Sequence, residues 1–227
     1  MAETWFLDEL AHAGPEHLDD AFINGYDQKQ GHPDPTPDIA EFQQQGLGRT
    51  ATVVDLAAGT GQFAMAAANV FAKVIAVDVS PAMVRRLRST LKQEDVVHAG
   101  FLSYAHDGPP VDGVYTRNAL HQLPDFWKAI ALDRIANLLR PGGVLRVRDL
   151  IYDFRPSEAA SVFAGWFAGA ATDPALGYTA GDYAEHIRTE HSTYRWLFEP
   201  MLDAAGFDIV AVDYERRLYG AYTCIKR

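Results

Sequence analysis

The stretch Thr52-Val53-Val54-Asp55-Leu56-Ala57-Ala58-Gly59-Thr60-Gly61-Gln62-Phe63-Ala64 constrains this chain more than any other. It opens on β-branched residues, which favour a buried strand. The strand closes on an acid, Asp55. A turn of small residues follows, Ala57 to Gly61. Phe63 to Ala68 then reads as a helix that must pack close to the strand. Glycine removes the Cβ that would keep a ligand away from the backbone. The start of the helix offers unpaired N–H groups at its positive end. A strand, a small-residue turn and a helix in this order bring backbone close to a bound molecule.

A dinucleotide turn would read G-x-G-x-x-G. This chain has Ala57, Gly59 and Gln62 at those three places, a poor match. The other reading is an acid followed by small residues at every second position, Asp55-x-Ala57-x-Gly59-x-Gly61. A second apolar strand, Lys73 to Asp78, also ends on an acid. Asp78 lies about 23 residues past Asp55, near the spacing expected of an acid on a ribose. Ser80 and Pro81 then open a helix as N-cap and first residue. Met83, Val84 and Leu87 form its inner face, with Arg85, Arg86 and Arg88 largely outside. A third short strand, Asp95 to Ala99, leads to Gly100-Phe101-Leu102. A fourth, Gly113 to Arg117, leads to Asn118-Ala119-Leu120-His121. Phe126 to Leu139 reads as an amphipathic helix stopped by Arg140-Pro141-Gly142-Gly143, and Val144 to Val147 as a fifth strand.

These motifs, in this order, resemble the class I S-adenosylmethionine (SAM)-dependent methyltransferases. Asp55 to Gly61 resembles motif I, with alanine in place of the first glycine. Val77-Asp78-Val79-Ser80-Pro81-x-Met83 resembles motif II. Arg117 to Asp125 resembles motif IV of the small-molecule and ubiquinone-type branch, and Leu139 to Gly143 the family's Pro-Gly-Gly turn. The resemblance covers roughly residues 50–150. It implies an α/β fold, a doubly wound Rossmann-like sheet of seven strands in the order 3-2-1-4-5-7-6, the last antiparallel. It also implies SAM as cofactor. Asp55 and the backbone of Ala57, Ala58, Gly59 and Gly61 would hold its methionine end. Asp78 would hold the ribose, with Val79, Met83, Gly100, Phe101 and Leu102 around the adenine. Asn118 would close the sulfonium side. Many family members carry Gly-Asp where this chain has Gly100-Phe101, so the group that reads the adenine edge is left open. The Phe101 N–H can still reach a ring nitrogen. An NAD(P)-dependent oxidoreductase and a SAM-binding protein without transferase activity stand as alternatives.

The chain has 227 residues and 48% hydrophobic residues, enough for one α/β domain with additions. Within a single domain 1–227, residues 1–50 are expected as helices folding over the cofactor, with Tyr26 facing it. Residues 51–150 form the cofactor-binding core. Residues 151–206 form a helical, aromatic-rich lid, with helices from Ser157, Thr179 and Ser192, the last broken at Pro200. Residues 207–227 form a closing strand pair. A net charge of -10 argues against nucleic acid or an anionic membrane as partner. The nucleic-acid Asn/Asp-Pro-Pro-aromatic box is also missing. The expected partner is a small-molecule methyl acceptor, and the sequence is silent on oligomeric state. One cysteine, Cys224, fits a reducing compartment. With no signal pattern and no apolar run near about 18 residues, the cytoplasm is the expected location.

His121, just after the fourth strand, is the candidate general base. His186 and Glu190 are four apart and share a helix face, whereas His191 points elsewhere. Without H-E-x-x-H or a second cysteine, no metal site is expected. Asp78→Ala is expected to weaken cofactor binding and to leave ligand-free melting almost unchanged.

Overall fold

The structure, a computed structural model, describes residues 5–14, 27, 29–30 and 32–227. Tyr26 lies outside the described residues. Eight strands form one sheet. They are β1 (Thr52–Leu56), β2 (Lys73–Asp78), β3 (Val96–His98), β4 (Val111–Arg117), β5 (Leu139–Tyr152), β6 (Thr193–Tyr194), β7 (Phe207–Glu215) and β8 (Tyr219–Lys226). Their order is β3-β2-β1-β4-β5-β8-β7, with β6 on the end of β5. Strands β1 to β5 pair in parallel, and β8 runs antiparallel to both β5 and β7. The expected order is the observed one once β6 is counted. A two-residue strand carries too little pattern to be read from sequence.

Strand β1 is apolar on both sides because both of its faces are covered. Val54 and Leu56 enter a core shared with Ile135 of α5 (Asp125–Leu138) and with Phe198 and Leu202 of α8 (Arg195–Ala204). Val53 points the other way, to Phe42 of α2 (Thr36–Gln44), Phe63 of α3 (Gln62–Ala67) and Leu87 of α4 (Pro81–Thr90). Helix α4 begins as its sequence indicates. Ser80 Oγ accepts from Met83 N at 3.2 Å, Pro81 takes the first turn, and Ala82, Met83, Val84 and Leu87 are buried.

Strand β5 is much longer than the four residues expected. Leu139 pairs with Val111, and the register then shifts so that Val144 meets Gly113. Arg140 to Gly143 are thus a bulge within the strand. A Cβ on Gly143 would stand 2.8 Å from Arg140 O, so the bulge needs glycine there. Beyond β4 the strand continues, because β8 and β6 still offer it partners.

The segment after β5 divides in two. Helices α6 (Ala159–Ala168) and α7 (Ala180–Thr189) pack on Leu150, Tyr152 and Phe154, with Trp166 stacked on Tyr183 at 4.1 Å. Helix α8 instead lies in the main core, so the cap over the strand ends is smaller than residues 151–206. Pro200 does not break it: the residue lies inside Arg195–Ala204. At the other end of the chain, α1 is the short segment Glu9–His12, with Asp8 as its cap.

Candidate active site at the carboxyl edge of the sheet

The sheet reverses its winding between β1 and β4, and the carboxyl ends of these strands open a crevice where α/β proteins bind ligands. Ala57, Gly59 and Gly61 there have φ of 62°, 55° and 87°. Alternation of left-handed residues turns successive N–H groups towards one side, a shape suited to an anion. Gly61 has no room for a side chain, since a Cβ would stand 2.6 Å from Leu87 Cδ2. Ala57 adopts the left-handed region despite its Cβ, at a cost of about 1 kcal/mol.

Asp78 supports this turn from the next strand. Its Oδ2 accepts from Gly59 N and its Oδ1 from Ser80 N, both at 2.8 Å. Each oxygen keeps a lone pair for a ribose hydroxyl. Burial raises its pKa to about 6, against those two N–H groups. The carboxylate thus ties the turn to β2, which speaks against the expectation that Asp78→Ala leaves ligand-free melting almost unchanged.

Four buried polar atoms in the same crevice have no hydrogen-bond partner: Asp55 Oδ2, Gln62 Oε1, Arg117 Nε and Asn118 Oδ1. All four residues line one cavity with Ala57, Ala58 and Gly59. Orphaned buried groups are costly, and here three acceptors and one guanidinium donor converge. The set complements a zwitterion, with acceptors for an ammonium and Arg117 for a carboxylate. The methionine end of SAM is such a group, so the residues present fit it. Burial, reinforced by the neighbouring Asp78, pushes the Asp55 carboxyl up to about 8 against the Ala64 N–H. Arg117 and Gln62 were not singled out in the sequence. A charged residue at the carboxyl end of β4 was the available signal for Arg117.

The loop after β3, expected to border the adenine, takes its acid from elsewhere in the chain. Met83, Gly100, Phe101 and Leu102 are buried next to Val79, whose carbonyl meets His98 Nε2 at 3.0 Å. Glu9 of α1 reaches this loop: Oε1 accepts from Leu102 N at 3.0 Å, and Oε2 from Ser103 Oγ at 3.0 Å. The Phe101 N–H also turns towards this carboxylate. Burial raises the Glu9 pKa despite these donors. The chain thus has an acid at the loop after β3, but from the N-terminal segment instead of from position 101. Nothing in the spacing of Glu9 points to this.

A larger cavity of about 510 Å³ adjoins the first, and Gln30 and Asn118 line both. His121 lies on its wall, 7% exposed. Its Nδ1 stands 2.5 Å from Asp149 Oδ1 and its Nε2 2.8 Å from Glu190 Oε2. Asp149 on β5 also accepts from Ala119 N, Leu120 N and Leu150 N. Burial would raise the Asp149 pKa, but His121 and these donors bring it below the usual carboxylate range. Burial alone would lower the His121 pKa; Asp149 and Glu190 outweigh it and lift it to about 9. Both ring nitrogens thus face carboxylates, an arrangement that favours the doubly protonated ring. His186, paired with Glu190 as the helical spacing indicated, also joins His121, a contact that no local pattern reveals.

A mostly parallel sheet in this order, an acid near the ends of both β1 and β2, and a ring of polar groups suited to a zwitterion at the switch point define a SAM-binding α/β protein. The description "Methyltransferase domain" matches residues 53–143. Trans-aconitate 2-methyltransferase from Azoarcus sp. (strain BH72) is 32% identical over 171 residues, covering 70% of this chain and 66% of that one. Its counterpart from Methylobacterium radiotolerans is 31% identical over 173 residues, covering 74% and 63%. The match thus spans a little under two thirds of these relatives' own length. The cyclopropane synthase MmaA2 from Mycobacterium tuberculosis has the same fold, with a TM-score of 0.70 at 13% identity over 99% of this chain and 100% of that one. Over residues 53–143 this chain belongs to the methyltransferase-domain family, on the fold of the class I SAM-dependent methyltransferases. Among the described residues, no helix is long and apolar enough to cross a membrane.

Proposed function

We infer that this chain is a single-domain enzyme that transfers a methyl group from SAM to a small-molecule acceptor in the cytoplasm. The observation that carries this reading is the convergence of four orphaned polar atoms at the motif I turn, beside a second cavity that shares Gln30 and Asn118. Bound SAM supplies a methyl group already activated by its sulfonium. Asp55, Gln62 and Asn118 receive the ammonium, Arg117 the carboxylate and Asp78 the ribose hydroxyls. Asn118 lines both cavities, which supports a place for it between cofactor and acceptor. The chain's contribution is to hold the acceptor in line and exclude water, which can supply much of the rate.

The acceptor side favours a nucleophile that needs no base. Both nitrogens of His121 are engaged by carboxylates, so abstraction of a proton would require Glu190 to move away. A carboxylate is ionised in water and is methylated without proton transfer. Three relatives carry the name trans-aconitate 2-methyltransferase, and Lys29, paired with Asp182, places an ammonium on the cavity wall. A polycarboxylate is therefore the first acceptor class to assay. The chain's net negative charge speaks against nucleic acid. Release of S-adenosylhomocysteine should be followed with di- and tricarboxylates, phenols and amines. Turnover on a carboxylate with a flat response from pH 6 to 8 is the expected result. Absence of turnover with every acceptor, despite tight SAM binding, would favour a binding protein without transferase activity.

A further inference from the structure

The charged cluster on the acceptor cavity has a geometry that methyl transfer alone does not use. His121 Nε2 and His186 Nδ1 each stand 2.8 Å from the same oxygen, Glu190 Oε2. That oxygen is buried, and both rings converge on it. One ligand atom from each of these three residues lies within 4.8 Å of the others. The remaining nitrogen of each ring is held from behind. His121 Nδ1 meets Asp149 Oδ1 at 2.5 Å, and His186 Nε2 meets Ser192 Oγ at 2.7 Å. Imidazoles that bind metals are held in this way: the rear N–H is given to an acceptor, and the front nitrogen keeps its lone pair. His186 lies on α7, Glu190 is the residue that ends this helix, and His121 comes from the segment after β4. Two separate elements thus close on one point.

We propose that His121, His186 and Glu190 bind one divalent transition-metal ion on the wall of the acceptor cavity, with coordination positions open to the cavity. Two imidazoles and a carboxylate suit zinc, iron, cobalt or nickel, whereas magnesium and calcium prefer oxygen ligands throughout. Loading the ion releases the His121 Nε2 proton to solvent. Glu190 and Asp149 balance its two positive charges. The open positions fit a chelating oxyanion such as a polycarboxylate or a 2-hydroxy acid. This last point rests on the transferase reading; the metal site itself does not.

The test uses the full chain, stripped with a chelator and titrated with Co²⁺ under visible absorption, then with Zn²⁺ in competition. The parent should take up one equivalent of Co²⁺ with a new absorption band that Zn²⁺ abolishes. Glu190→Gln and His186→Ala should each lose roughly 100-fold or more in Zn²⁺ affinity, beyond the 10- to 100-fold typical of a lost outer-shell partner. Calorimetry with S-adenosylhomocysteine on the same samples separates folding from ligation. A variant that keeps parent-like nucleoside affinity is folded, and the near-isosteric Glu190→Gln serves if His186→Ala does not fold. Equal Zn²⁺ affinity in parent and Glu190→Gln overturns the metal site. Failure of the parent to bind S-adenosylhomocysteine overturns the transferase reading and leaves the Co²⁺ result to stand by itself.

Discussion

Asp55 has a carboxyl that the fold prefers to keep protonated. Its pKa is raised to about 8, first by burial and then by Asp78. The sign follows from linkage: the folded state holds a proton that the unfolded chain releases near pH 4. Ligand-free stability should therefore fall between about pH 4 and 8 and level off above that. Asp78, raised to about 6, adds to the same fall over a narrower window. Asp55→Asn should melt roughly 5–10 °C above the parent at pH 8 without ligand and show a flatter pH profile. A scan of melting temperature from pH 5 to 9 checks this; identical slopes in parent and variant would remove Asp55 as the source. Asp78→Ala leaves the Gly59 and Ser80 N–H groups without their acceptor. It should cost about 2 kcal/mol of ligand-free stability in denaturant titration as well as nucleoside affinity. At Ala57 the left-handed φ of 62° makes Ala57→Gly stabilising by about 0.5–1 kcal/mol, measurable by the same titration. Asp55, Asp78 and the small residues were legible because acids at strand ends and glycines in turns act locally. Gln62, Arg117 and Glu9 were not, because their roles depend on which atoms remain unpartnered after packing.

At the scale of elements, the helix that carries His186 and ends at Glu190 is held at its start by a capping box. Thr179 Oγ1 accepts from Asp182 N at 3.2 Å, and Asp182 Oδ2 accepts from Thr179 N at 2.7 Å. Thr179→Ala should cost about 1 kcal/mol. Hydrogen exchange should speed up in the amides of α7 while those of α5 stay protected. Equal protection of α7 in parent and variant would mean that tertiary packing alone sets this helix. The start of α7 was readable from Thr179, since a cap is a short-range signal. The limits of β5 and the course of α8 were not. A strand's length is set by its neighbours, and β5 runs on because β8 and β6 continue beside it. Pro200 reads as a breaker, but Phe198 and Leu202 on either side are buried in the main core, and that burial holds the helix through it. The meeting of His121 with His186 is a contact between elements 65 positions apart in the sequence, beyond the reach of any periodicity.

For the whole molecule, the central claim is that the crevice between β1 and β4 takes the methionine end of SAM in a ring of otherwise orphaned polar atoms. The strand order and motif spacing already implied the fold and the cofactor; the ring gives the claim its atoms. Arg117 offers the most direct test, since its Nε has no partner in the ligand-free chain. Titration calorimetry should compare SAM, S-adenosylhomocysteine, 5′-methylthioadenosine and NAD on the parent and on Arg117→Met. A charge-assisted contact to the carboxylate is worth about 1.5–3 kcal/mol. Arg117→Met should thus weaken the first two ligands by roughly 10- to 100-fold. It should leave methylthioadenosine, which lacks the amino-acid end, unchanged, and NAD should bind far more weakly than SAM to both proteins. Parent-like SAM affinity in Arg117→Met, an equal loss for methylthioadenosine, or NAD binding tighter than SAM would contradict the placement.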